Sequence, residues 1–285
     1  MRVEKHRAAR MRLDSPIMLV CLDGWVDAGG VLERTTRALL DSPSVLLAEF
    51  DADELVNYRA RRPIMHVDSG INTGIDWPQI ELLAVRDLDS RDVVVLTGAE
   101  PDRQWRRFSE AVVELARELG VRMVLSLGAY PAATPHTRDV SLSGVGTTPK
   151  LVEQVGFLEG KLDVPAGVHA AIERACASAG IPSIGLWAPV PHYIATEAFP
   201  AAVVALLRGL EQVGDRRFLT PELISEAEAV NDRLNALVVG DEDRARMVGN
   251  LESHADNVAR SHPSEIPSGE ELAEQLRRFL DDNED

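Results

Sequence analysis

Met18 to Leu22 is an unbroken apolar run that stops at Asp23-Gly24, which predicts a strand buried on both faces and running into a tight turn. Asp27 then stands where it can cap a helix reaching about Leu40, and Ser44 to Phe50 predicts a second strand closed by the polar stretch Asp51-Ala52-Asp53-Glu54. Ile64 to Val67 and Ile75 to Trp77 flank Asp68-Ser69-Gly70 and predict a hairpin, with Ile80 to Val85 extending the same antiparallel patch. Asp92 to Leu96 is rich in β-branched residues and leads through Thr97-Gly98 into a helical spacing of Phe108, Val112, Leu115 and Leu119. The pattern repeats at Val121 to Leu127, ending at Gly128. It repeats again at Ile181 to Leu186, after a helix around Val168 to Ala179.

Strands alternating with helices of this length imply a mixed, mainly parallel sheet covered by helices on both faces, that is, an α/β chain with an α/β/α layering. From Phe199 onward the period is helical throughout. Val203, Leu206, Leu207, Leu210 and Val213 form one stripe. Leu223, Ala227, Val230, Leu234 and Leu237 form a second after the start signal Thr220-Pro221, and Val248, Leu251, Ala255 and Val258 a third. The expected organisation is a basic arm over 1–15 that frays, an α/β/α domain over 16–214 and a helical extension over 215–260. A Pro-containing linker with an acidic terminal helix, marked by Leu272, Leu276 and Phe279, completes it over 261–285.

Composition narrows the function classes. The formal net charge is −16, and the stretch from Asp215 to Asp285 carries 18 acidic against 8 basic residues. Such a field repels nucleic-acid phosphates, so no nucleic-acid binding is expected. No apolar run approaches the roughly 20 residues that cross a bilayer, and the basic start leads into no signal core, so a cytoplasmic protein without a membrane partner is expected. Cys21 and Cys176, each in an apolar segment, fit buried reduced thiols.

Candidate chemistry sits where the strands end, since ligands of open α/β sheets bind beyond the carboxyl ends of the strands. Asp23-Gly24-Trp25-Val26-Asp27, Gly98-Ala99-Glu100-Pro101, Gly128-Ala129-Tyr130 with Pro135-His136-Thr137-Arg138, and Ala188-Pro189-Val190-Pro191-His192-Tyr193 each set a bend beside polar groups. Together they could line a ligand cleft with Asp23, Trp25, Asp27, Glu100, His136, Arg138, His192 and Tyr193. Asp23, Glu100 and His192 are its acid/base candidates and Arg138 an anion clamp. Each has a structural reading beside it: turn-fixing or helix capping for Asp23 and Asp27, a hydrogen-bonded structural role for His136 and His192, an ion pair for Glu100, and packing for Trp25. No Walker loop or Gly-x-Ser-x-Gly elbow is present, Pro149 spoils the dinucleotide-like Gly144-Val145-Gly146, and the seven histidines lack metal-ligand spacing. No cofactor is expected.

The same segments, with Arg61-Arg62-Pro63, Trp77-Pro78, Trp105 and Phe108, resemble in order the proteasome assembly chaperone type-two family in its actinobacterial branch, over about Pro16 to Glu211. The resemblance implies a phosphorylase/hydrolase-like three-layer sandwich, a C-terminal helical extension and self-association, with a trimer favoured over a dimer. It implies little about reaction; together with the missing catalytic motifs and the apolar stripes of the helical tail it leads to the expectation of a non-catalytic protein-interaction or assembly role, with proteasome-related or other assemblies as partners. The alternative is a small-molecule hydrolase or phosphorylase-like enzyme using the strand-end cleft. The chain departs from archaeal-type relatives in ending Asp282-Asn283-Glu284-Asp285 where they can carry a docking hydrophobic-Tyr-any tripeptide, and in carrying Ala198-Phe199-Pro200 where Pro-Asn-Pro is expected.

Overall fold

The computed structural model describes residues 1–24, 26–157 and 160–261. Trp25, the Val258 side chain and the expected linker and terminal helix beyond Ser261 lie outside the described residues. The elements run β1 (Val3–Lys5), β2 (Ile17–Asp23), α1 (Val31–Leu39), β3 (Val45–Phe50), α2 (Ala52–Leu55), β4 (Ile64–Asp68), β5 (Ile71–Asp76), β6 (Ile80–Arg86) and β7 (Asp92–Ala99). They continue with α3 (Trp105–Glu118), β8 (Met123–Ala132), β9 (Ser143–Gly146), α4 (Pro149–Glu153), α5 (Val168–Ala179), β10 (Ser183–Pro191), α6 (Pro200–Gly214), α7 (Pro221–Val239) and α8 (Glu242–Ser261).

Eight strands form one mixed sheet in the order β1-β3-β6-β7-β2-β8-β10-β9. Its centre, β7-β2-β8-β10, is parallel, and antiparallel strands continue it on both sides. Side chains of β2 alternate between two cores. Ile17, Leu19 and Cys21 meet Val31 and Leu32 of α1 and Leu206 and Leu207 of α6, whereas Met18, Val20 and Leu22 meet Phe108 and Val112 of α3 and Ile172 and Cys176 of α5. The continuous apolar run is therefore the consequence of helices on both faces. Burial of both thiols pushes Cys21 up to about 12 and Cys176 up to about 11.

Three expectations change. β6 belongs to the main sheet, between β3 and β7, and does not extend the hairpin; β4 and β5 pair only with each other, around Ser69-Gly70, as a separate ribbon. Part of the basic arm is placed as a strand. It supplies edge strand β1 against β3, with the His6 amide donating to the Leu47 carbonyl at 2.9 Å, because an open sheet edge offers unpaired backbone groups to any nearby extended segment. β8 and β10 also run past Gly128 and Ala188 and stay paired from Ser183/Val124 to Pro191/Ala132. Proline is tolerated there because β9 pairs with β10 only as far as Trp187, so the far edge of Pro189 and Pro191 has no ladder to break.

The extension is anchored on the first core, which Val230 and Leu234 of α7 join. Arg34 of α1 pairs with Glu226 of α7 at 2.9 Å.

Gly98, near the end of β7, has φ +106°, and a Cβ there would lie 2.0 Å from the Gln79 carbonyl oxygen that receives the Ala99 amide. Gly98→Ala is expected to destabilise the chain by more than about 3 kcal/mol, adding overlap with a backbone atom to the strain of a positive φ. Thermal unfolding within a degree or two of the parent would refute this.

Candidate functional site

The parallel strands all end on one side of the sheet. Their carboxyl ends, with α5 and the loop before it, enclose a cavity of about 640 Å³. Its position follows from the topology: β2, β8 and β10 are in parallel register, so Gly24, Gly128 and Trp187 reach the same end of the sheet. Glu100, which follows β7, accepts a hydrogen bond from the Val168 amide at 2.6 Å and so ties this end of the sheet to the first turn of α5. A carboxylate at an uncapped helix start satisfies a free N–H and suits the positive end of the helix dipole.

Helix α5 turns one stripe, Val168, Ile172 and Cys176, into the core. The adjacent stripe, His169 and Glu173, is one helical turn apart and lines the cavity. His169 is buried, its ring stands edge-on to Trp187 with centroids 6.4 Å apart, and its Nε2 has no hydrogen-bond partner among the described residues. Burial alone holds this imidazole down at about 4. Burial pushes the Glu173 carboxyl up to about 7. Gly185 of β10 makes room for Glu173 and Trp187, because a Cβ there would fall 2.7 Å from Glu173 Oε1 and 2.9 Å from Trp187 Nε1. Across the cavity Tyr130 and Ser143 share a hydrogen bond of 3.1 Å between their hydroxyls, which gives Ser143 the partner that its sequence neighbourhood does not reveal.

The residues singled out from sequence divide into three groups. Glu100 lines the cavity; Asp23 precedes the lining residue Gly24 but does not itself line it, and its carboxyl is raised chiefly by burial, beside Asp27 and Glu33. Asp27 accepts from the amides of Leu32 at 2.7 Å and Glu33 at 3.2 Å, which is the work of a cap on α1. His136, Arg138 and Tyr193 are brought together elsewhere, under the helical extension. His136 Nδ1 lies 2.7 Å from the Tyr193 hydroxyl and its Nε2 lies 3.2 Å from Asn235 Oδ1 of α7. Arg138 donates to Asp256 at 2.8 and 2.9 Å and to Glu252 at 3.1 Å, so its guanidinium is committed to α8 and does not face the cavity. His192 is exposed beside Tyr193, with ring centroids 5.5 Å apart. His169, Glu173 and Trp187 are what the reading by strand ends misses. Their signal is a polar pair at helical spacing directly beside an apolar stripe. Among the described residues no cluster of three or more His, Cys, Asp or Glu is placed to hold a metal ion, and no helix is long and apolar enough to cross a membrane.

The PAC2 family profile matches residues 21–238, from the middle of β2 to the end of α7. The chain belongs to the PAC2 family. Among solved structures, a Streptomyces avermitilis PAC2 family protein is 35% identical, with a TM-score of 0.72 over 82% of this chain and 99% of its own. A Corynebacterium glutamicum protein of unknown function is 30% identical, with a TM-score of 0.83 over 90% of this chain and 97% of its own. A Mycobacterium tuberculosis proteasome-assembly chaperone homologue is 31% identical, with a TM-score of 0.73 over 81% and 99%. No curated protein matches the chain.

The buried pair in this PAC2 chain has a consequence for stability. A carboxyl held at about 7 keeps its proton in the folded chain while the unfolded chain, near its ordinary 4.5, releases it; stability therefore falls as pH rises from about 4.5 to about 7 and levels off above. His169 acts in the opposite sense, costing stability as pH falls from its ordinary 6.5 toward about 4. Glu173→Gln removes only the first effect. Its stability relative to the parent is expected to rise by up to about 3 kcal/mol between pH 5 and pH 8. Urea unfolding of both chains at the two pH values measures this, and an equal difference at both would refute it.

Proposed function

We propose that this PAC2 chain acts without catalysis, as a cytoplasmic, protein-binding assembly factor that itself forms a closed homo-oligomer. The observation that carries the reading is the β4–β5 ribbon. Ile64, Met65, Val67, Ile71, Ile75 and the neighbouring Trp77 are all between 41% and 67% exposed. A two-stranded ribbon is marginal by itself in water, and six large apolar side chains on one such projection form the kind of patch that a protein contact covers. Its root is firm, since Tyr58 stacks edge-on against Trp77 at 5.1 Å, so the patch is presented on a fixed base.

Family membership and the likeness to a mycobacterial proteasome-assembly chaperone homologue support an assembly-factor role, with a proteasome-related or other protein assembly as partner. The acidic charge disfavours nucleic acid. Closed symmetry is the usual state of such assemblies, and the trimer is the expectation that accompanies the family.

Light scattering over a micromolar concentration series at moderate salt tests the reading. The parent is expected at a multiple of its 31.2 kDa subunit mass, with three copies the expected number. Ile64→Glu combined with Ile71→Glu is expected to lower that mass toward one subunit while leaving the unfolding of the diluted subunit unchanged, because neither side chain is packed in the core. A monomer throughout the parent series would overturn self-association, and a dimer would replace only the trimer.

A further inference from the structure

The cavity carries its own argument, independent of the ribbon. Its volume of about 640 Å³ falls in the range of small-molecule sites, which are mostly apolar with a few placed polar groups. Leu127, Val145, Leu162, Val164, Ala170 and Trp187 supply the apolar wall. Among the described lining residues there is no Lys or Arg, whereas Glu100 and Asp163 are carboxylates, so no cationic side chain is present there to pair with an anion.

Three of the polar side chains are already occupied with the protein itself: Glu100 by the Val168 amide, and Tyr130 and Ser143 by each other. His169 Nε2 is not. A buried ring nitrogen without a partner forfeits a hydrogen bond that water would otherwise supply, and buried polar atoms in folded proteins nearly always have one. Among the described residues around the ring, Gly24, Glu100, Gly167 and Trp187, none makes a hydrogen bond to that nitrogen.

We propose that this cavity is a binding site for a small uncharged molecule with an apolar, ring-sized body and one hydrogen-bonding head, the head meeting His169 Nε2 beside Glu173. The body would lie along Trp187 and the apolar wall of the 162–166 loop. Charge agrees with this geometry: between about pH 4 and about pH 7 the imidazole is unprotonated and the Glu173 carboxyl is protonated, so neither presents a charge to the ligand. The inference does not rest on the assembly role, because it uses no residue of the β4–β5 ribbon.

N-Phenyl-1-naphthylamine, uncharged and with a single N–H donor, is the probe. Its sulfonated relative, 8-anilino-1-naphthalenesulfonate, has the same ring skeleton and a negative charge. Titrated into the full chain at pH 6, the neutral probe is expected to show saturable fluorescence enhancement at one site per chain, with affinity at least about tenfold above that of the sulfonate, a difference of about 1.4 kcal/mol. Ala170→Trp, which places a large ring in the cavity, is expected to abolish that site, and Ala170→Leu to weaken it should the larger variant not fold. His169→Phe keeps the ring and removes the nitrogen; affinity should drop about three- to tenfold, the worth of one hydrogen bond. Binding that survives both Ala170 variants with folded protein, equal affinity for the two probes, undiminished affinity in His169→Phe, or no saturable binding would overturn the proposal. The Ile64→Glu and Ile71→Glu chain should bind the probe as the parent does, which separates cavity binding from adsorption to the ribbon.

Discussion

Strand β2 is buried on both faces, and the rest of the architecture answers to that. Residues Ile17 to Leu22 are at most 1% exposed, and alternate side chains enter different cores. Removing six such side chains from water is worth on the order of 10 kcal/mol before chain entropy is counted, similar to the whole net stability of a domain. The gain exists only if both faces are covered at once. Helices α1 and α6 must therefore lie on one side and α3 and α5 on the other. Parallel pairing of β2 with β7 and β8 then brings their polar ends, Asp23, Glu100 and the Gly128 region, to one rim. The cavity is a by-product of covering the strand: α5 closes one core with Val168, Ile172 and Cys176, and its next stripe is left facing the rim.

How far this could be read from the chain depends on the range of the interaction that decides each feature. Strand and helix periods are local, so β2, β3, β7, α1, α3, α5 and the three C-terminal helices fall close to their expected places. The ribbon is also local, set by Ser69-Gly70 between apolar runs. Its separation from the main sheet is not, because only the partners of β6, namely β3 and β7, decide which sheet that strand joins. The ends of β8 and β10 were obscured by Gly128 and the prolines after Ala188, residues that punctuate a chain unless a neighbouring strand already holds the backbone extended.

The cleft shows the same limit more sharply. Glu100 could be placed near the rim because its neighbours on β7 placed it. His136 and Arg138 could not be separated from it without knowing that Asn235, Glu252 and Asp256, some hundred residues later, lie over them. His169 and Glu173 were hidden for the opposite reason. A polar pair on a helix normally faces water, and only the wall formed by Gly185 and Trp187 of β10 makes it an interior pair.

The two surfaces that remain unexplained by folding alone, the cavity and the ribbon, meet at one backbone group. The Asp23 carbonyl accepts from the Glu100 amide at 3.1 Å and from Arg61 Nη2 at 2.8 Å. Glu100 closes the cavity against α5, and Arg61 lies three residues before the ribbon begins at Ile64. One acceptor thus joins the segment before the ribbon to the strand end at the cavity rim, beside the Tyr58–Trp77 contact that holds the ribbon's root. Adjacency of this kind fixes geometry; it becomes coupling only where the joint has a second arrangement that a ligand on one side prefers. Arg61 is the element that can supply one, since it reaches the carbonyl as a long side chain from outside, whereas the Glu100 amide is held by the β2–β7 pairing.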